Sequence, residues 1–332
     1  MYPDFLPLLQ RALVKAIPGF ERPVHWNRLS GGASQETWAI DAIVNLQAEP
    51  LILRRSPGGT ARATESGNSV PLETEALVIE TARQQGAAAP RVRYVLKPAD
   101  GVGHGYVMDR LQGETIPRKI LRDPAFDTVR PTLARQCGEI LARIHKVDTT
   151  TLRGHLRMID GPAQLRHYRD LYDAYDYPHP VFEFAFKWLE PRISSPTRLT
   201  LVHGDFRHGN LLISPRGVEA ALDWELTHIG DPLEDIGWIC TNSWRFGVSE
   251  KLVGGFGDLE DLLAGYESEG GAHYERDEVR IWIAYGSLKW GIMCMSMYQG
   301  FLRDRSVEHA AIGRRSSETE IDLINLIIHG TL

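Results

Sequence analysis

The chain has 332 residues, a formal net charge of −6, 43% hydrophobic residues and 24% charged residues; this is the balance of a soluble globular protein, long enough for about two units of ~150 residues or one two-lobed domain. A mildly acidic chain has no overall pull toward nucleic acid or an anionic membrane, and no stretch approaches the ~20 apolar residues of a membrane span. Its three cysteines, Cys137, Cys240 and Cys294, form no C-x-x-C pair, which argues against a thiolate zinc site and for buried thiols in a reducing, cytoplasmic compartment.

MYPDFLPLLQRALVKAIPGF lacks a basic start followed by a continuous apolar run, so it reads as a short amphipathic helix and not a secretion signal. RLSGGASQETWAI predicts a strand, a Gly-rich turn and a strand. There Gly31, Gly32 and Ser34 would let backbone N–H groups approach phosphates, although a Gly-Gly turn also serves as a plain hairpin. Residues 36–40 and 51–55 are short apolar strands, and the polar GGTARATESGNS is a loop. Residues 71–86 carry helical spacing ended by Gly86, and 92–96 and 105–111 are two further strands separated by KPADGVGHG. After Gly113 the character changes: 132–145, 163–174, 181–189 and 276–297 are helical. A small strand-rich lobe therefore precedes a larger, mostly helical one.

Inside the helical part lies an island of strand, LVHGDFRHGNLLI. Two His, one Asp and one Asn sit between apolar flanks, where unpaired polar groups are costly. Residues 199–202, 211–213 and 218–222 read as strands, with the turn SPRG between the last two. A hairpin centred between Arg216 and Gly217 would set Ile213 opposite Ala220, Leu212 opposite Ala221, Leu211 opposite Leu222 and Asn210 opposite Asp223. Two hard oxygen ligands on one rigid element suit Mg²⁺, and Asp205 is close enough upstream to reach the same space. The spacing Asp-x-x-x-x-Asn with a later Asp after a hairpin matches the phosphoryl-transfer set of a proton acceptor and two metal ligands, a reaction that needs positioning and charge neutralisation more than covalent chemistry.

HGDFRHGN followed by LDWE resembles the aminoglycoside phosphotransferase and choline kinase superfamily, from about Trp26 to Trp290. The resemblance implies an α+β, two-lobed protein-kinase-like fold, with a small antiparallel-sheet N-lobe and a larger, mainly helical C-lobe. It divides the chain into a nucleotide-binding lobe (1–108), a hinge (109–114) and a helical lobe with catalytic loop and acceptor pocket (115–332). It also implies an ATP- and Mg²⁺-dependent phosphotransferase acting on a hydroxyl of a small molecule. Asp205 would be the catalytic base, Asn210 and Asp223 the metal ligands, His203 a brace for the loop, and Asp235 in GDPLEDIGWI a structural partner. In LILRRSP the usual Lys position holds Arg54; alternation sends Arg54 and Arg55 to opposite faces, and Arg brings a permanent charge with different geometry. The branch associated with acyl-CoA dehydrogenases has a similar Arg-Arg strand followed by Pro-Gly. Glu75 is the candidate partner of Arg54, Glu73 its competitor, and a solvated helix face the alternative for both. In GYVMDRLQGE the adenine would meet main-chain atoms of Asp109 and Leu111 with Met108 behind it; a plain edge strand with a buried Met competes. His145 in LARIHKVD reads as structural.

The acceptor region would lie around Trp238, Trp244, Tyr285, Trp290 and Tyr298. KWGIMCMSMYQGF is either core or one wall of an apolar pocket. No dense acidic cluster appears in the last helices, which disfavours a polycationic aminoglycoside; the acyl-CoA-dehydrogenase-like branch suggests a hydroxyacyl thioester or another hydroxylated metabolite. Two other readings compete. One is a nucleotide-binding regulator without catalysis, supported only by Arg54. The other is a zinc hydrolase using His203, Asp205 and His208 as H-x-D-x-x-H, which lacks a completing His cluster and leaves Asn210 and Asp223 unused.

Overall fold

The computed structural model describes residues 4–29, 35–59 and 69–331. Helix α1 (Leu6–Ala16) buries Leu6, Leu9, Ala12 and Leu13, the one-sided spacing expected of an amphipathic surface helix. Behind it, β1 (Phe20–Arg28), β2 (Glu36–Val44), β3 (Gln47–Arg55), β4 (Val92–Val95) and β5 (Gly105–Asp109) form an antiparallel sheet in the order β1-β2-β3-β5-β4. Helix α2 (Leu72–Gln84) connects β3 to β4 and ends before Gly86, whose φ of 95° suits a residue without Cβ.

Period-2 alternation divides the sheet between two cores. Ile40, Leu51, Leu53 and Val107 pack with α1, whereas Ala39, Ile52, Tyr106 and Met108 join the core containing Ala76 and Ile79 of α2. The same alternation separates the two arginines, as expected. Arg55 turns to the α1 side, where it pairs with Glu36 at 2.9 Å and lies 4.0 Å over the Phe5 ring. Arg54 turns to the α2 side.

The remainder is mainly helical: α3 (Pro117–Arg122), α4 (Leu133–His145), α5 (Gly161–Ala174) and α6 (Pro180–Leu189) precede a strand-containing insert of β6 (Thr200–Val202), β7 (Leu211–Ser214), β8 (Gly217–Ala221) and β9 (His228–Gly230). Then follow α7 (Leu233–Cys240), α8 (Leu259–Ser268), the 29-residue α9 (Arg276–Asp304), α10 (Val307–Gly313) and α11 (Ser316–Ile324). Helices α4 and α8 cross closely because Gly138 and Gly265 are at the contact: a Cβ on Gly138 would strike the backbone of Leu262 and Tyr266, and one on Gly265 that of Arg135. The architecture is the α+β, two-part arrangement expected, with an antiparallel sheet followed by a mostly helical body.

β6 pairs with β9, Val202 opposite His228, and so closes the base of a long excursion holding both the HGDFRHGN loop and the β7–β8 hairpin. The three residues of β9 carry no alternation long enough to announce a strand; pairing with β6 makes them one. The hairpin itself differs from the expected register. Ser214 faces Gly217 and Ile213 faces Val218, but Leu212 faces Ala220 and Leu211 faces Ala221, with an irregularity between Leu212 and Ile213. The turn is therefore the two residues Pro215 and Arg216, and an extra residue on β8 shifts the pairing as a β-bulge does. Asn210 consequently aligns with Leu222, whose N–H donates to its carbonyl at 2.8 Å, and not with Asp223.

Candidate active site

The loop 203–210 is largely buried, and many of its polar groups are occupied. Asp235, at the start of α7, takes the N–H groups of His203 (2.8 Å) and Gly204 (2.9 Å) on its two oxygens, and His145 Nε2 approaches Oδ2 at 3.1 Å. Burial alone would raise the Asp235 carboxyl; the bond to His145, the neighbouring imidazoles and the His203 N–H together outweigh it and hold the pKa below the usual carboxylate range. His145 is in turn tied to the Tyr266 hydroxyl at 2.9 Å, a structural role as expected. Gly204 has φ 81°, a conformation that favours glycine, and its position leaves no room for a Cβ beside Leu226. His203 accepts the Asp205 N–H at Nδ1 (3.2 Å) and packs 4.6 Å from Trp224, so it braces the turn; burial pushes its pKa down.

Asp205 itself is 9% exposed and meets three donors. The Trp238 indole N–H donates to Oδ1 at 2.8 Å, Asn210 Nδ2 donates to Oδ2 at 2.6 Å, and Arg207 Nε lies 3.1 and 3.2 Å from the two oxygens. Asn210 Nδ2 also bonds the Asp205 carbonyl at 3.0 Å. With its NH₂ group committed, the Asn210 side-chain oxygen points away from Asp205, and among the described residues it accepts no hydrogen bond.

Asp223 follows the hairpin in the left-handed region, at φ 66°. Its Oδ1 takes Arg54 Nη2 at 2.8 Å, and among the described residues Oδ2 accepts nothing. The same Nη2 lies 3.4 Å from Oε1 of the wholly buried Glu75, so a guanidinium on β3 joins a carboxylate on α2 to one beyond β8. Of the two acidic candidates on α2, Glu75 is therefore the partner; Glu73 pairs with His104 instead. Burial pushes Glu75 up despite Arg54. For Asp223 burial acts upward too, but Arg54 overrides it and the carboxyl sits below its ordinary value. Tyr106, opposite Arg54 in the sheet, is fully buried in this group.

A cleft of about 590 Å³ lies between the sheet and the hairpin, lined by Ile52, Arg54, Met108 and Leu111 on one side and by Arg207, Asn210, Leu222 and Asp223 on the other. Met108 is 8% exposed and shares the core with Ile52 and Ile79. Asp109 also lines the cleft, but its amide N–H is taken by the Arg91 carbonyl at 2.9 Å and its Oδ1 by Arg93 at 2.9 Å. Leu111 lies just past the strand, and among the described residues its N–H meets no acceptor. Gly31, Gly32 and Ser34 lie outside the described residues.

The oxygens of Asn210 and Asp223 that have no partner among the described residues are hard donors, and the cleft beside them suits a magnesium-bound phosphate group. The donor set does not suit the zinc alternative. His208 turns away from Asp205, packs against Phe246 and Phe256 and approaches the Gly254 carbonyl through Nδ1 at 2.6 Å. Among the described residues no group of three His, Cys, Asp or Glu is arranged to hold a metal.

The aromatic residues expected around an acceptor divide. Trp244 is buried, 4.7 Å from the Arg207 guanidinium and 4.8 Å from Trp290. Tyr285 is instead buried against Tyr168 and Trp282, and Tyr298 is exposed near Phe301 toward the end of α9. Trp238 bonds Asp205 directly. Ile292, Cys294 and Met295 of KWGIMCMSMYQGF are core. Three groups at the loop had no role assigned from sequence: Arg207, Glu234 and Lys289. Arg207 lies inside the motif, where its charge was visible. Lys289 is one of the largest fully buried side chains, and nothing in its neighbouring residues signals that.

Comparison with known proteins identifies the family and the fold. The chain is 28% identical over 248 residues to mouse acyl-CoA dehydrogenase family member 10, covering 72% of this chain and 22% of that protein. To chicken acyl-CoA dehydrogenase family member 11 it is 27% identical over 264 residues, 74% of this chain and 32% of that one. It thus spans about a fifth to a third of the length of these two relatives. A Ralstonia eutropha protein provisionally assigned as an aminoglycoside phosphotransferase superposes with a TM-score of 0.73 at 18% identity, over 97% of this chain and 98% of that one. A choline/ethanolamine kinase family protein from Mesorhizobium loti does so with a TM-score of 0.62 at 20% identity, over 95% and 93%. These likenesses identify the fold as protein-kinase-like. Residues 25–272 match the family described as phosphotransferase enzyme family, and the chain belongs to that family.

Proposed function

We propose that the protein is a small-molecule kinase that transfers the γ-phosphoryl group of ATP to a hydroxyl group, with Asp205 as the base and Asn210 and Asp223 as the Mg²⁺ ligands. The observation that carries this reading is the pair of oxygens on Asn210 and Asp223 without a partner among the described residues, set beside a carboxylate that accepts a bond from that same Asn210. Bound there, the metal would neutralise charge on the β- and γ-phosphates.

The chain's own residues have separable tasks in this reading. Arg54, held by Glu75 and Asp223, presents a permanent positive charge to the phosphates from the sheet side. Met108 and Ile52 form an apolar floor for the adenine, and main-chain atoms of Asp109 and Leu111 pair with it. Residues 1–108 then act as the nucleotide-binding lobe, 109–114 as the hinge and 115–332 as the lobe carrying the acceptor. The nucleotide-binding part of the proposal includes Gly31, Gly32 and Ser34.

Asp205 needs an open lone pair to accept the hydroxyl proton, and its three donors differ in how easily they leave. Trp238 and Asn210 are buried, whereas the Arg207 side chain is 24% exposed and makes the longest bonds. Arg207 is therefore the group an incoming hydroxyl displaces. The acceptor side carries Arg207, Trp244 and Trp290, a group that does not attract a polycation. The names of the curated relatives make a hydroxyacyl thioester the first acceptor to try.

The test is thermal unfolding with ATP and Mg²⁺ together and separately, followed by ADP release across a panel of hydroxylated metabolites. Mg²⁺-dependent stabilisation with acceptor-stimulated ADP release supports the reading. Stabilisation with no turnover on any acceptor favours the non-catalytic regulator, and no nucleotide effect at all refutes both.

A further inference from the structure

We propose that Lys289, on α9, is a positioning residue that orients Asp205; this rests on the reading of Asp205 as the base. Lys289 is 2% exposed. A buried ammonium is expensive, and a hydrophobic side chain of similar volume commonly replaces a buried ion pair at no loss of stability. Its charge therefore asks for an explanation other than packing.

The contacts supply one. Lys289 Nζ donates to the Gly204 carbonyl at 2.9 Å and to Glu234 Oε1 at 2.9 Å, and lies 4.4 Å over the Trp238 ring. Glu234, itself 3% exposed, is anchored further by His228 Nε2 at 3.1 Å. The lysine consequently acts on Asp205 along two routes. The Gly204 carbonyl belongs to the peptide group whose N–H is that of Asp205, and that N–H is bonded to His203 Nδ1. Lys289 and His203 thus hold opposite edges of the peptide plane leading into the base, while Asp235 holds the Gly204 N–H. By the second route, the indole on which the ammonium rests donates to Asp205 Oδ1. Backbone and side chain of the base are both referred to one ammonium group that is not among the residues lining the cleft.

Glu234 and Lys289 stabilise each other's charge. Burial opposes ionisation of both, but their attraction prevails, so Glu234 stays an anion and Lys289 a cation across the working pH range. The support is therefore constant and does not act as a switch.

The test is a double-mutant cycle of Lys289→Met and Asp205→Asn, read as single-turnover ADP release from ATP–Mg²⁺ with water as acceptor, alongside nucleotide-induced thermal shift. Lys289→Met should slow turnover about 10- to 100-fold, the scale of a misplaced catalytic group, with KM for ATP within about twofold and the thermal shift kept. In the Asp205→Asn background the same substitution should cost less than about twofold, because a residue acting through Asp205 has nothing left to orient. Equal losses in both backgrounds, or a loss under about threefold where Asp205→Asn abolishes turnover, would overturn the proposal. Full turnover in Asp205→Asn alone would instead overturn the base assignment on which it rests. Should Lys289→Met not fold, Glu234→Gln keeps the lysine and the volume. Its indole ¹⁵N–¹H spectrum should show the Trp238 resonance, assigned by Trp238→Phe, shifted from its wild-type position; an unmoved resonance with wild-type turnover counts against the proposal.

Discussion

Replacing Arg54 by Met would leave Glu75 and Asp223 facing each other without the guanidinium that lies 3.4 Å from one and 2.8 Å from the other. Removing one partner of a buried ion pair costs roughly 3–5 kcal/mol. The Glu75 side chain is 1% exposed but that of Asp223 is 30% exposed and can be partly hydrated, so the low end, about 3 kcal/mol at neutral pH, is expected. The pH dependence gives the sharper test. In the wild type the Asp223 pKa is depressed, so the stability it contributes is present above its unfolded value and is lost as pH falls through the folded one. Glu75 runs the other way, since burial raises its pKa and its cost appears as pH rises. In Arg54→Met both carboxyls are pushed up, so the penalty of the substitution is full near neutrality and shrinks on acidification as they become protonated. Urea unfolding followed by tryptophan fluorescence, at neutral pH and near pH 5, should show the loss falling to less than half. Mg²⁺ should restore part of it at neutral pH by taking up the exposed charge. A loss below about 1 kcal/mol, or one independent of pH, would show that the three groups do not form one electrostatic unit.

Asp205→Asn should lower turnover by about 10²- to 10⁴-fold, the usual contribution of a general base, while nucleotide-induced stabilisation persists; loss of nucleotide binding with loss of rate would assign the residue to the phosphates instead. Asn210→Ala and Asp223→Asn should abolish the Mg²⁺-dependent part of that stabilisation, measured as the difference in Tm with and without the metal. Gly138→Ala should destabilise by about 2–3 kcal/mol in urea unfolding, because its Cβ is aimed at backbone atoms of α8 that cannot rotate aside. Stability should also fall on acidification below about pH 6.5, because burial holds His208 near a pKa of about 4 and the unfolded chain takes up a proton that the fold refuses; His208→Gln should flatten that slope.

How much of this was legible beforehand follows the range of the interactions. The loop HGDFRHGN stood out as a candidate site because Asp205 and Asn210 fall within a few residues of each other between apolar flanks, and Asp235 and His145 were recognisable as structural residues. Alternation within a single strand was enough to separate Arg54 from Arg55. Glu75 was the expected partner of Arg54 and Glu73 its competitor, but alternation could not separate them, since both lie on the first turn of α2; the angle at which that helix meets β3 selects Glu75. Nor was the hairpin register legible: the two-residue turn falls at Pro215 and Arg216, one residue earlier than expected, and a bulged residue on β8, invisible to a pattern of small apolar residues, offsets half of that shift, so Asn210 aligns with Leu222 and not with Asp223.

Local spacing of polar and apolar residues was thus sufficient for the α+β, two-part architecture and for marking the loop as the candidate site, because backbone periodicity and a short motif are properties of neighbours in the chain. Packing alone brought Arg54 to Asp223, Trp238 to Asp205 and Lys289 to Gly204. Those contacts join residues far apart in the chain, and their partners are selected by how helices and sheet close over a shared core, a condition that no single segment contains.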